Sequence, residues 1–223
     1  MNRSEGIRTD GAEIVINLSK NSVLLGSDPC DSELERLVAL IDGAIGEADA
    51  SFGFRRYGEP RALYNSENFG DTDQASGGRA VPLDIDVFCP ADTPVFTPLD
   101  ANVELLANNN RELDYGAMIV LRHTTDAGEL FFTLDGHLSS GCLDTLEVGQ
   151  ELTAGDQIAA VGRPPENGNW PPHLHLQLIL DLLDLDADFP GVAKASQQEL
   201  WCALSPSPAC FFQEFDPTEL RYK

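Results

Sequence analysis

Apolar positions along this chain follow two periods. Between Ser32 and Ala48, Leu34, Leu37, Val38, Ile41 and Ile45 recur at helical spacing. They form one stripe to bury, and Asp31 or Ser32 can cap the first turn. From about Val81 the pattern changes to short apolar runs punctuated by Gly, Pro and Asp. These runs are Leu83–Phe88, Val95–Thr97, Asn102–Ala107, Ala117–His123, Leu130–Leu134, Gln157–Val161 and His173–Leu180. Their length and spacing predict the strands of a mostly antiparallel β domain. Ahead of the helix, Glu13–Asn17 and Ser22–Gly26 predict a short hairpin. Gly53–Arg79, rich in Gly, Asn, Asp and Ser, reads as a long surface loop. Beyond Asp181, acidic turns lead into a short helix predicted over Val192–Leu204. The resulting organisation is an N-terminal extension (1–60) carrying the helix, a β domain (61–210) and a tail (211–223).

Charge narrows the partners. The chain has 37 acidic and 14 basic residues, a formal charge of −23. Such a field repels phosphate backbones and anionic membranes, which argues against nucleic acid and membrane surfaces. Its plain reading is solubility. The polar N-terminus has no signal-peptide pattern, and no stretch is apolar enough to span a bilayer, so a cytoplasmic location is expected. The five cysteines (Cys30, Cys89, Cys142, Cys202 and Cys210) have no CxxC spacing and read as free thiols. Nothing in the pattern specifies an oligomeric state.

Chemistry concentrates where the histidines do. Two of the four lie in Trp170-Pro171-Pro172-His173-Leu174-His175. Side chains alternate on a strand, so His173 and His175 share one face. By the same parity Asp84 and Asp86 face together, and Cys89 faces away from Asp86. His123, on an apolar strand, reads as structural. Trp170 reads either as a cleft wall or as packing. There is no serine nucleophile elbow, P-loop or dinucleotide-binding glycine motif.

The segments Leu83-Asp84-Ile85-Asp86, Asp92-Thr93-Pro94-Val95, Gly116-Ala117-Met118-Ile119-Val120-Leu121-Arg122-His123, His137-Leu138-Ser139, Gly149-Gln150 and His173-Leu174-His175 occur in an order that resembles the lysostaphin-type zinc endopeptidases. The resemblance spans roughly Val81 to Ile179. A closer likeness, carried by Asp114-Tyr115-Gly116, Pro165 to His175 and Phe189-Pro190-Gly191-Val192-Ala193, is to the peptidase-like module found between kinase-like and class III aminotransferase domains.

The resemblance implies an antiparallel sheet or sandwich with an open groove. It makes Asp86 and His175 metal ligands and His137 and His173 catalytic. The family's first ligand, a histidine four residues before the aspartate, falls on Pro82, which has no side-chain donor. Asp84 is then the substitute ligand, and an Asp84/Asp86/His175 set, richer in oxygen, suits harder ions such as Mn or Mg better than zinc. Glu166 is a second residue able to fill the gap.

Two functions follow from the resemblance. One is a metal-dependent peptide or amide hydrolase. The other is an inactive intracellular module that uses the same groove for a peptide, a small molecule or a protein partner.

Overall fold

One large sheet organises the computed structural model, which describes residues 12–19, 22–25, 34–60, 79–212, 216 and 218–221. The strands are β1 (Glu13–Val15), β2 (Phe52–Arg55), β3 (Arg79–Pro82), β4 (Ile85–Phe88), β5 (Pro94–Phe96), β6 (Ala101–Asn109), β7 (Gly116–Thr124), β8 (Leu130–Leu138), β9 (Glu151–Leu152), β10 (Gln157–Ala160), β11 (His173–Ile179) and β12 (Val192–Lys194). The helices are α1 (Leu34–Glu47), α2 (Cys142–Thr145) and α3 (Gln198–Leu204). Eight strands pair in the order β1-β2-β4-β11-β8-β7-β6-β9, while β10 with β5 and β12 with β3 form two small sheets. Every pairing is antiparallel except that of β1 with β2. The mainly β, mostly antiparallel architecture therefore agrees with the sequence. Among the described residues, no helix is long and apolar enough to cross a membrane.

Three local expectations change. Ser22 to Leu25 is a turn, in which the Ser22 amide donates to Ser19 O at 2.9 Å, so no hairpin forms. Instead β1 lies parallel to β2. β2 itself falls inside the expected loop Gly53–Arg79, and all four of its residues are buried. Residues 61–78 of that loop, and the capping candidates Asp31 and Ser32, lie outside the described residues. The helix expected over Val192–Leu204 begins as β12, because Val192 and Ala193 pair with Pro82 and Val81, and it becomes α-helical only from Gln198.

The faces of the large sheet have different jobs. On one face, Phe54, Val87 and Leu174 align across β2, β4 and β11. There they join the main core with Ile85, Leu176, Ile119, Leu121, Phe211 and Phe212. Phe54 is fully buried and meets Phe212 edge to face at 5.1 Å. Helix α1 buries Leu37 and Ile41 against Ile16, Leu18 and Phe88 in a second cluster. Gly53 makes room for that cluster, since a Cβ there would lie 2.4 Å from Ile16 Cδ1.

The main core contains one anomaly. Asp135, in register with Leu176 and Ile119, is fully buried, and neither carboxylate oxygen has a hydrogen-bond partner among the described residues. Burial pushes its pKa up to about 7, so the carboxyl is largely protonated below neutrality and loses its proton as the pH rises through 7.

Two predictions arise. Phe54→Ala, which empties a buried ring site, should cost about 3–5 kcal/mol in denaturant unfolding. The raised pKa of Asp135 means the folded state holds a proton that the unfolded chain releases near pH 4. Its contribution to stability is complete below that pH and declines as pH rises toward 7, by roughly 4 kcal/mol at most. Asp135→Asn should therefore flatten the fall in melting temperature between pH 5 and pH 8. An unchanged slope would refute the assignment.

Candidate functional site

The site is a row across four strands. Arg55 on β2 lies opposite Asp86 on β4. Asp86 lies opposite His175 on β11, and His175 lies opposite Gly136 on β8. Cross-strand neighbours share a face, so Arg55, Asp86 and His175 meet side by side, opposite the face that carries Phe54, Val87 and Leu174. His173 enters two residues away on the same face, where its ring lies 5.2 Å from that of Phe88.

Asp84 arrives differently. Residues 83 and 84 form a bend between β3 and β4, so simple strand parity does not place it. Even so, its carboxylate reaches the site, and Asp84, Asp86 and His175 each offer a ligand atom within 4.8 Å of the others. His175 Nδ1 is 3.4 Å from Asp84 Oδ2 and 3.7 Å from Asp86 Oδ1. Pro82, on β3, pairs with Val192 in a separate small sheet and contributes no side-chain donor.

A backbone irregularity brings in His137. The β7–β8 register shifts between Ala117 and Ile119, and His137 adopts a positive φ of 60°. Such bulges re-aim side chains next to active sites. Here the shift brings the His137 ring to 4.3 Å from His173 and 5.8 Å from His175. Trp170 stands edge-on to His137 and His173 at 6.2 and 6.4 Å.

Hydrogen bonds set the imidazole tautomers. His137 Nδ1–H donates to Asn167 O at 3.0 Å and His173 Nδ1–H to Pro171 O at 2.6 Å. In the neutral rings Nε2 is therefore the basic nitrogen. Burial, reinforced by His173, holds the His137 pKa well below the usual value, and burial also lowers that of His173.

His175 is oriented the other way. Gln177 donates its amide N–H groups to Pro190 O (3.2 Å) and Ser205 Oγ (3.0 Å), leaving Oε1 to accept from His175 Nε2–H at 3.2 Å. His175 Nδ1 thus faces two carboxylates. Burial disfavours its charge, but Asp84 and Asp86 outweigh burial and raise its pKa.

Arg55 is the residue that sequence reasoning missed. It is 1% exposed, and its Nε donates to Asp86 Oδ2 at 2.8 Å while its Nη2 donates to Asp84 Oδ2. Burial would raise the Asp86 pKa, but the guanidinium, helped by His173, holds it well below the carboxylate range. Asp84 differs: burial lifts its pKa to about 7 against the pull of Arg55. One signal was available. Phe52-Gly53-Phe54-Arg55 alternates aromatic with other residues, which marks a short strand with arginine on the non-aromatic face.

The segment after β11 closes over the site. Tyr115 Oη–H donates to Phe189 O at 3.0 Å, and a Cβ at Gly191 would lie 2.5 Å from Tyr115 Oη and 3.0 Å from His175 Cε1. The remaining sequence candidates lie elsewhere or play other parts. Glu166 is tied to Ser140, accepting from its N–H at 3.0 Å and its hydroxyl at 2.8 Å. His123 bridges Asp100 O and Thr133 Oγ1, each at 3.0 Å. Cys89 packs in the main core, where burial pushes its thiol up to about 12. Among the described residues, Cys89, Cys142 and Cys202 are free thiols.

The donor set passes one test for a metal and fails another. Three ligands are the number that a catalytic zinc site draws from protein. Yet the Arg55 guanidinium, permanently charged, already holds Oδ2 of both aspartates. Adding a divalent ion beside the guanidinium would bring about 8 kcal/mol of repulsion at 4 Å, for an effective dielectric near 20. As arranged, the residues do not fit a catalytic divalent metal.

Residues 83–186 match the sequence model for Peptidase family M23. No curated protein matches the chain. Among solved structures, the catalytic domain of the antimicrobial peptidase lysostaphin from Staphylococcus simulans is 20% identical, with 55% of this chain and 80% of that one covered and a TM-score of 0.37. The catalytic domain of a prophage-encoded M23 protein from Enterococcus faecalis is 21% identical, with 56% and 77% covered and a TM-score of 0.38. A zinc-containing peptidase from Vibrio cholerae is 22% identical, with 44% and 27% covered and a TM-score of 0.35. This chain thus spans about a quarter of the Vibrio protein, and 45% of a longer lysostaphin structure. The ordered motifs from Asp86 to His175 fall inside the matched segment, so residues 83–186 of this chain are similar to peptidase family M23.

Proposed function

We propose that this metallopeptidase-like protein binds a ligand on its histidine-lined face and carries out no metal-dependent hydrolysis. The observation that supports this most directly is the Arg55 guanidinium on Asp84 and Asp86, the two carboxylates of the candidate metal group. Pro82 supports it independently, since the first ligand of the resembled family falls on a residue without a donor.

The chemistry left to the site is that of hydrogen bonding. His137 presents a basic Nε2, and the Tyr115 and Trp170 rings flank it at 6.1 and 6.2 Å. A ligand with N–H or O–H donors and a flat apolar portion suits that surface. A peptide segment or a small amide has this character, and the peptide chemistry of the resembled family favours it. The chain's acidity disfavours a polyanionic ligand. A cytoplasmic setting is part of the same proposal.

Two measurements test this reading. Purified full-length protein should leave glycine-containing peptides intact both with added Zn or Mn and with chelator. Chelator should shift its melting temperature by less than about 1 °C, because a ligand held by the folded state alone would otherwise stabilise it. Metal-dependent cleavage that disappears in His175→Ala would overturn the proposal.

A further inference from the structure

We infer that Arg55 is a built-in cation standing where a divalent ion would bind, and that Asp84, Asp86 and His175 form a latent metal site that opens when the guanidinium is removed. The inference rests on the reading above, that the protein as it stands works without metal.

The spacing of the donors is the first argument. Ligand atoms about 2.0–2.1 Å from a tetrahedral ion lie about 3.4 Å from one another. Asp84 Oδ2 to His175 Nδ1 is 3.4 Å and Asp86 Oδ1 to His175 Nδ1 is 3.7 Å. Two of the three donor separations are thus close to the edges of such a polyhedron, and all three ligand atoms lie within 4.8 Å of one another.

Donor orientation is the second. Gln177 holds the Nε2–H of His175, which turns the Nδ1 lone pair of the neutral ring toward the carboxylates. A lone pair facing two carboxylates calls for either a proton or a cation between them. Asp84, 1% exposed, has a second oxygen, Oδ1, with no hydrogen-bond partner among the described residues. The cluster therefore retains capacity to bind a cation.

The third argument is competition. Arg55 Nη2 takes Asp84 Oδ2, the oxygen nearest His175 Nδ1. The guanidinium and an ion would compete for the charge of the same two carboxylates, and their mutual repulsion disfavours both being held at once. Arg55 also sits on β2, directly opposite Asp86 in register. Arg55 is none of the three donors, so replacing it deletes no ligand. The set is one nitrogen and two oxygens, which suits Zn and Mn.

The test uses the full chain as wild type and as Arg55→Ala, Arg55→Gln and Arg55→Lys, titrated with Zn or Mn and followed by calorimetry and thermal shift. Wild type and Arg55→Lys, which keeps a cation, should show no saturable binding. Arg55→Ala and Arg55→Gln should take up one equivalent at least 100-fold more tightly than wild type, and the metal should raise their melting temperatures. Adding His175→Ala or Asp86→Asn should abolish the gain.

Arg55→Ala strips two buried carboxylates of their counter-ion and can unfold the chain. Refolding on metal addition then supports the inference, and Arg55→Gln retains amide donors for the same oxygens. Folded Arg55 variants without uptake, uptake indifferent to His175→Ala, or unfolded variants that metal does not rescue would each overturn it. Those results, obtained with a metal-free and inert wild type, leave the proposed function standing. Stoichiometric metal in the wild type overturns both, so the two failures are distinguishable.

Discussion

The pairing register of β2, β4 and β11 is the constraint on which the rest depends. It sets Phe54, Val87 and Leu174 in line on one face and Arg55, Asp86 and His175 in line on the other. A slip of one residue would exchange the two sets, driving charges into the main core and exposing three fully buried apolar side chains. Each of those apolar side chains is worth roughly 1.5–3 kcal/mol of burial. The hydrophobic core thus fixes the alignment of the charged row, whether or not the row does chemistry.

Buried charge then decides what the row can be. Asp84 and Asp86 are 1% and 2% exposed. Two such carboxylates, taken from water, need compensation by cations and hydrogen bonds. A metal supplies it in the related enzymes' chemistry. Here the Arg55 guanidinium supplies part of that compensation, through ion pairs to both carboxylates. Around the cluster the packing is tight: Gly136 and Gly191 both lack the Cβ that would collide with Tyr115. The hydroxyl of Tyr115 is itself tied to Phe189 O. The site is a finished structural element as well as a functional face.

The strand β8 shows how one segment serves both faces. Asp135 enters the main core as an unpartnered carboxyl, while two residues later the bulge at His137 turns its ring to the opposite face, beside His173. Without the register shift, strand parity would leave both on the core side. A left-handed backbone at a histidine is uncommon and costs some stability, which the Asn167 carbonyl and the packed rings around it help to offset.

Much of the fold was legible in the chain because strands of the β domain alternate, end at turn residues and bury one face. All seven runs read from Val81 onward correspond to strands, with shifted ends. His173, His175 and Asp86 were legible from spacing and from the resemblance, since a strand's two-residue period holds wherever the strand is placed. Arg55 as a site residue was not legible. Its role depends on a pairing between segments 31 residues apart, and no local period reports which strand lies next to which. Likewise β3 and β12 exist only because they pair with each other. The sequence by itself determined the strand-rich class, the turns and the face that His173 and His175 share. The tertiary structure alone decided the register and the bulge, and with them that the Arg55 guanidinium meets both buried carboxylates, because long-range burial and charge compensation are set by neighbours in space.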